Sequence, residues 1–117
     1  MSIEDTWNKL HEKERQLSEK EWDLYQRIEK LDSKKMEVLD QLLNDSHWLN
    51  DLGFLFEGSR YQSQMMDDRL EFQHQVRIME YSLDEELEKL RKEHKSIEMK
   101  LDSIHQEKRR LVTEEIT

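Results

Sequence analysis

The chain has 117 residues and a formal net charge of -9, from 28 acidic and 19 basic side chains. With 40% charged and 34% apolar residues it is too polar for a thick globular core, and suits long paired helices that bury a stripe. The absence of cysteine excludes disulfides and thiolate chemistry, and interspersed charge (12 acidic against 8 basic residues over 1–50, 14 against 10 over 61–117) leaves no basic tract for nucleic acid.

The first element begins at Ser2, whose spacing to Asp5 is that of a capping box with an acidic partner. From there one heptad position reads Ile3, Leu10, Leu17, Leu24, Leu31, Val38, and the position four residues later reads Trp7, Glu14, Glu21, Ile28, Lys35, Leu42, Leu49. The first series is apolar throughout and the second is polar in its middle, which predicts a narrow seam with soft layers. A helix over 2–50, roughly 70 Å long at 1.5 Å per residue, is expected. Trp22, Tyr25, Met36, Leu39 and Leu43 lie outside the strict seam and widen the apolar surface. A single two-helix seam does not need them, so they are candidates for a second helix pair or a partner protein.

The only glycines, Gly53 and Gly58, fall near the midpoint, and there is no proline. A turn over 51–59 is expected, with Gly53 as the positive-φ glycine ending the first helix and Gly58 as a second bend. Trp48, Leu52, Phe54, Leu55 and Phe56 crowd this segment. Either they plug the end of the seam, or Trp48, Phe54 and Phe56 anchor a partner.

A second helix is expected over 60–114, capped by Ser59. Its apolar series runs Met65, Phe72, Val76, Met79, Leu83, Leu87, Leu90, Ile97, Leu101, Ile104, Leu111. Leu49 with Met65, Leu42 with Phe72, Leu24 with Leu90 and Leu10 with Ile104 share a common number sum of 114, as do Ile3 with Leu111, Leu17 with Ile97, Leu31 with Leu83 and Val38 with Val76. A constant sum is the signature of antiparallel pairing. In the intervening layers the same register sets Glu14 against Lys100 and Glu21 against Glu93. The expectation is an all-α, single-domain antiparallel two-helix hairpin over 1–117, with association into a four-helix bundle as an option. An antiparallel dimer of straight helices would satisfy the same sums.

No phosphate loop, zinc signature or nucleophile context is present, so no catalytic residue, cofactor or metal is expected. Glu71 and His74 form one Glu-x-x-His, where a di-iron bundle needs two such motifs plus two further glutamates. Phe72 and Val76 hold the seam, so this pair should point outward. His94 lies on the fuller stripe of the second helix, as a packed or rim histidine. The longest apolar run, Phe54-Leu55-Phe56, is far too short to span a membrane. The acidic start MSIEDTWNKLHEKE lacks the features of a cleaved signal peptide.

A cysteine-free hairpin with aromatic and glycine residues at its centre resembles the small helical-hairpin proteins of the type VII (Esx) secretion system, the WXG-like group. It is most similar to the accessory proteins of Gram-positive bacteria that pair with the helical N-terminal domain of LXG toxins. The family's central Trp-x-Gly maps loosely onto Trp48 and Gly53, here five residues apart. Its export motif Tyr-x-x-x-Asp/Glu is matched by Tyr81 with Glu85, inside the second arm. The resemblance implies a targeting factor or chaperone. Its partners would be a cognate helical effector domain and a second small helical protein, or a second copy of itself. It would sit in the cytoplasm or leave the cell in complex with the effector. The alternative is a self-associating structural coiled coil, or a cytoplasmic scaffold or regulator.

Overall fold

A computed structural model describes residues 2–116, with the side chain of residue 116 left aside. The chain is an all-α antiparallel two-helix hairpin, α1 Ile3–Leu55 and α2 Gln62–Ile116. Helix α1 starts as its sequence directs: Ser2 Oγ accepts from the Asp5 backbone N–H at 3.1 Å. The connecting turn is short and tied by its own groups. The Gly58 N–H donates to Gln62 Oε1 at 3.0 Å, the Tyr61 N–H to Ser59 Oγ at 3.2 Å, and the Ser59 N–H to the Phe56 carbonyl at 3.0 Å. This satisfies donors that a helix start otherwise leaves to solvent.

The turn corrects one expectation. Helix α1 runs to Leu55, so Gly53 lies within it, and the glycine with positive φ is Gly58, at 77°. A helix interior tolerates one glycine at a cost of roughly 1 kcal/mol, and α1 continues two residues past Gly53 to Leu55. The two glycines therefore respond oppositely to alanine. At Gly53 a Cβ would stand 3.8 Å from Arg69 Nη1, an ordinary contact; Gly53→Ala is expected to raise stability by roughly 0.5 kcal/mol. At Gly58 the left-handed backbone penalises any Cβ, and Gly58→Ala is expected to lower stability by about 1 kcal/mol. Urea titrations of both variants check the pair of signs.

Contacts divide the hairpin into two units, Met1–Glu29 with Glu88–Thr117, and Lys30–Leu87. The first unit holds most of the closed core. Leu10, Leu24, Leu90, Ile97, Leu101, Ile104 and Leu111 are buried there, and Leu10, Ile104 and Leu111 form one packed cluster with Leu17 against it. The Leu10–Ile104 layer thus has the register of 114. The intervening layers do not. Lys100 and Glu93 are exposed, and α2 instead turns Leu101, His94 and Lys108 inward. Those positions lie four residues beyond Ile97, Leu90 and Ile104, one residue further than the expected ones. Leu101 supplies the apolar reason: burying it leaves Lys100 outside.

Glu14 accordingly meets Lys108 at 3.1 Å and His105 at 3.2 Å. Lys108 lays its stem in the seam, with its ammonium 4.7 Å from the Trp7 ring centroid and 3.2 Å from His11 Nδ1. The Lys108 hydrogen bond holds the Glu14 carboxyl below its ordinary value of 4.5, against the opposing effect of burial. A carboxyl depressed by folding stabilises the fold above its unfolded value, and that contribution is lost as pH falls through the folded one. The stability gap between the wild type and Glu14→Gln should therefore close as pH drops below about 4.5. Thermal melts of both proteins across that range would show it; a gap that widens on acidification would contradict the pairing.

The second unit is more open. Among the described residues its one fully buried apolar side chain is Leu87, 2% exposed. Leu31, Val38, Leu42, Leu49, Met65, Phe72, Val76 and Leu83 are half-buried, in line with the expected register. Met79 is a correction: expected in the seam, it is exposed. At the register of 114 it opposes Lys35, whose ammonium pairs with Asp84 across the arms. A charged residue that reaches outward leaves Met79 no apolar surface to pack on.

Candidate functional site

The open layer of the second unit creates the site. Leu42 of α1 and Phe72 and Val76 of α2 are seam residues, yet they line grooves on both flanks of the unit. One groove, of 470 Å³, is walled by Leu39, Leu43 and Ser46 on α1 and by Gln73, Arg77 and Glu80 on α2. The other, of 490 Å³, is walled by Gln75, Ile78, Met79, Ser82 and Leu83. A fully packed helix pair covers such seam residues with its flanking side chains. Here Gln73, Arg77 and Glu80 of α2 flank them on the first groove, and Lys35 pairs with Asp84 across the arms. The result is apolar floor with polar rims (Asp40, Arg77 and Glu80 on the first groove). That composition suits the apolar stripe of another helix, with charged residues at its edges.

The off-seam residues of α1 fall where their spacing put them. Met36 and Leu43 are exposed, the latter at 58%, and Leu39 is half-buried in the first groove. These three follow a 3–4 spacing that presents them on one face of α1. Trp22 and Tyr25 belong to the first unit. Their rings stack with centroids 6.1 Å apart, both are exposed, and the Tyr25 hydroxyl donates to Glu29 at 2.7 Å. That hydrogen bond raises the Tyr25 hydroxyl above its ordinary pKa, because ionisation would set two anions side by side.

The aromatic residues of the tip differ in exposure. Phe54 and Leu55 stand 75% and 78% exposed on the last turn of α1. Phe56 is half-buried edge-on against Tyr61, with centroids 6.1 Å apart, and Arg60 covers the other ring at 4.7 Å. Phe56 thus secures the turn, whereas Phe54 faces solvent. Trp48 is 62% exposed and lines neither groove. Behind the tip, Arg69 Nη1 donates to Asn50 Oδ1 at 3.3 Å across the arms.

Tyr81 and Glu85 are both exposed, one turn apart on α2. Glu71 and His74 also face solvent, and Glu71 accepts from Gln75 Nε2 at 2.9 Å. No described helix is long and apolar enough to cross a membrane. The residues that reasoning from sequence missed are Ile78, as a wall, and the open floor of Leu42, Phe72 and Val76. The one signal was Lys35 opposite Met79, a charged residue set against an apolar one at the register of 114.

Comparison with known protein families, with curated proteins and with solved structures finds no match. The hairpin itself is consistent with WXG-like small helical proteins, and its apolar flanks are consistent with a small helical binding protein.

Proposed function

We propose that this chain is a non-enzymatic targeting factor or chaperone that lays the apolar flank of its second unit against the helices of a larger effector, of the kind exported as LXG-type toxins by type VII secretion. The observation that carries this reading is the open floor of Leu42, Phe72 and Val76, seam residues left reachable from both flanks.

On this reading Met36, Leu39 and Leu43 supply the anchors on α1, the exposed Trp22 and Tyr25 offer a separate contact on the first unit, and the exposed Phe54 and Trp48 add another at the tip. The resemblance to Esx-type hairpins supports an effector as partner, a second small helical protein as a further member, and a cytoplasmic site of assembly. Tyr81 with Glu85 would then contribute to a composite export surface.

The test is co-expression with the product of a neighbouring long toxin gene that has a helical N-terminal region. A stable complex that co-purifies through size exclusion is expected. A tight homodimer that ignores the neighbour would instead identify a self-associating coiled coil or scaffold.

A further inference from the structure

The seam of the first unit holds a polar cluster that helix pairing alone does not explain. Glu21 of α1 and His94 of α2 are half-buried within it, and Glu98 stands exposed at its edge, one turn beyond His94. One ligand atom from each of the three lies within 4.8 Å of the others. His94 Nδ1 and Glu98 Oε1 are 3.3 Å apart. Glu21 makes no hydrogen bond or ion pair with any described residue, although it occupies a seam position bounded by Leu17 and Leu24. No Lys or Arg among the described residues pairs with any of the three. Two carboxylates therefore converge on one imidazole with no basic side chain to balance them.

We infer that Glu21, His94 and Glu98 form a site for a divalent transition-metal cation, of the zinc type, that clips α1 to α2 in the first unit. The chemistry fits on three counts. An imidazole with two carboxylates is a borderline donor set, which suits zinc and its neighbours better than the all-oxygen sets of calcium or magnesium. A tetrahedral ion with bonds of about 2.0–2.1 Å sets its ligand atoms about 3.3 Å apart, the spacing already held by His94 and Glu98. His94 and Glu98 are four apart on one helix face, so they form a chelate without strain. Glu21 closes the remaining gap from the facing helix by rotating a side chain with three free torsions. Three protein ligands leave the fourth position to water. The ion would cancel the repulsion between Glu21 and Glu98 and turn a weak layer of the seam into a cross-link. This site is independent of the grooves in the second unit and of the partner proposed above.

The experiment uses the full, tag-free chain. Titration calorimetry with ZnCl2 should give one ion per chain, and the melting temperature should rise with zinc concentration. Bound Co2+ should show a visible ligand-field band. Glu21→Gln, His94→Gln and Glu98→Gln should each weaken binding at least tenfold, while His74→Gln leaves it unchanged. Far-UV circular dichroism of the zinc-free variants confirms that the hairpin is intact, and any one folded variant suffices for the comparison. Zinc binding only at millimolar concentration, or binding that survives His94→Gln, would overturn the site. Loss of binding in His74→Gln would place the ion elsewhere and overturn it equally.

Discussion

Leu87→Ala is expected to lower the unfolding free energy by about 2–5 kcal/mol. Leu87 is the least exposed apolar side chain among the described residues, at 2%, and it follows the stretch of α2 in which Met79 and Glu80 are exposed. Removing its isobutyl group loses the transfer free energy of the buried carbons and leaves a gap that two long helices close poorly, because neither can shift without disturbing its other layers. Against a total of about 5–15 kcal/mol for a small domain, this is a large share. Leu43→Ala is the matched comparison: the same atoms are removed from a side chain 58% exposed, and a change within about 0.5 kcal/mol is expected. Urea titration reads both, with an unchanged slope showing that the unfolded state is not the cause. Equal losses in the two variants would mean that Leu43 is covered in solution, and a second copy of the chain would be the first occupant to test.

Leu43→Asp is expected to weaken the effector complex at least thirtyfold while leaving the fold of the free hairpin intact. Leu43 walls the first groove beside Leu39, above the floor of Leu42, Phe72 and Val76. A partner helix seated there would strip water from the new carboxylate, with Glu80 and Asp40 already on the rim and Arg77 the single cation among the lining residues. An unpaired charge in such a setting costs several kcal/mol; a loss of about 2 kcal/mol, the threshold for an interface hot spot, already corresponds to some thirtyfold in affinity. In the free protein the aspartate stays in water, so its melting temperature should match that of the wild type. Affinity measured with the co-purified effector fragment decides the matter. Unaltered binding would move the contact away from this flank, to Trp22 and Tyr25 or to the tip. Conversion of a homodimer to a monomer would identify a second copy of the chain as the occupant.

Several features of both surfaces can be read from residue spacing. Met36, Leu39 and Leu43 are conspicuous because apolar residues at a 3–4 spacing beside a complete seam have nothing left to cover. Ser2 with Asp5 announces the start of α1 through a local hydrogen bond that needs no tertiary partner. The metal cluster is different. Glu21 and His94 are 73 positions apart, and the sequence register paired Glu21 with Glu93, so the convergence of Glu21 on His94 depended on a shift of one residue in the intervening layers. Gly53 was misleading for a related reason: glycine permits a positive φ but does not demand one, and only the turn geometry chose Gly58.

By itself, then, the sequence determined two long helices, their antiparallel pairing and the Leu10–Ile104 layer, because helical periodicity and a constant number sum are properties of spacing alone. Tertiary structure decided how well each layer closes. Whether Leu42, Phe72 and Val76 are covered depends on how closely the two helices approach and on which side chains flank them. Whether Glu21 meets Glu93 or His94 depends on helix rotation about the seam, a matter of a single residue. Such rotations and gaps are sums of many weak packing preferences along both helices, and no short motif encodes them.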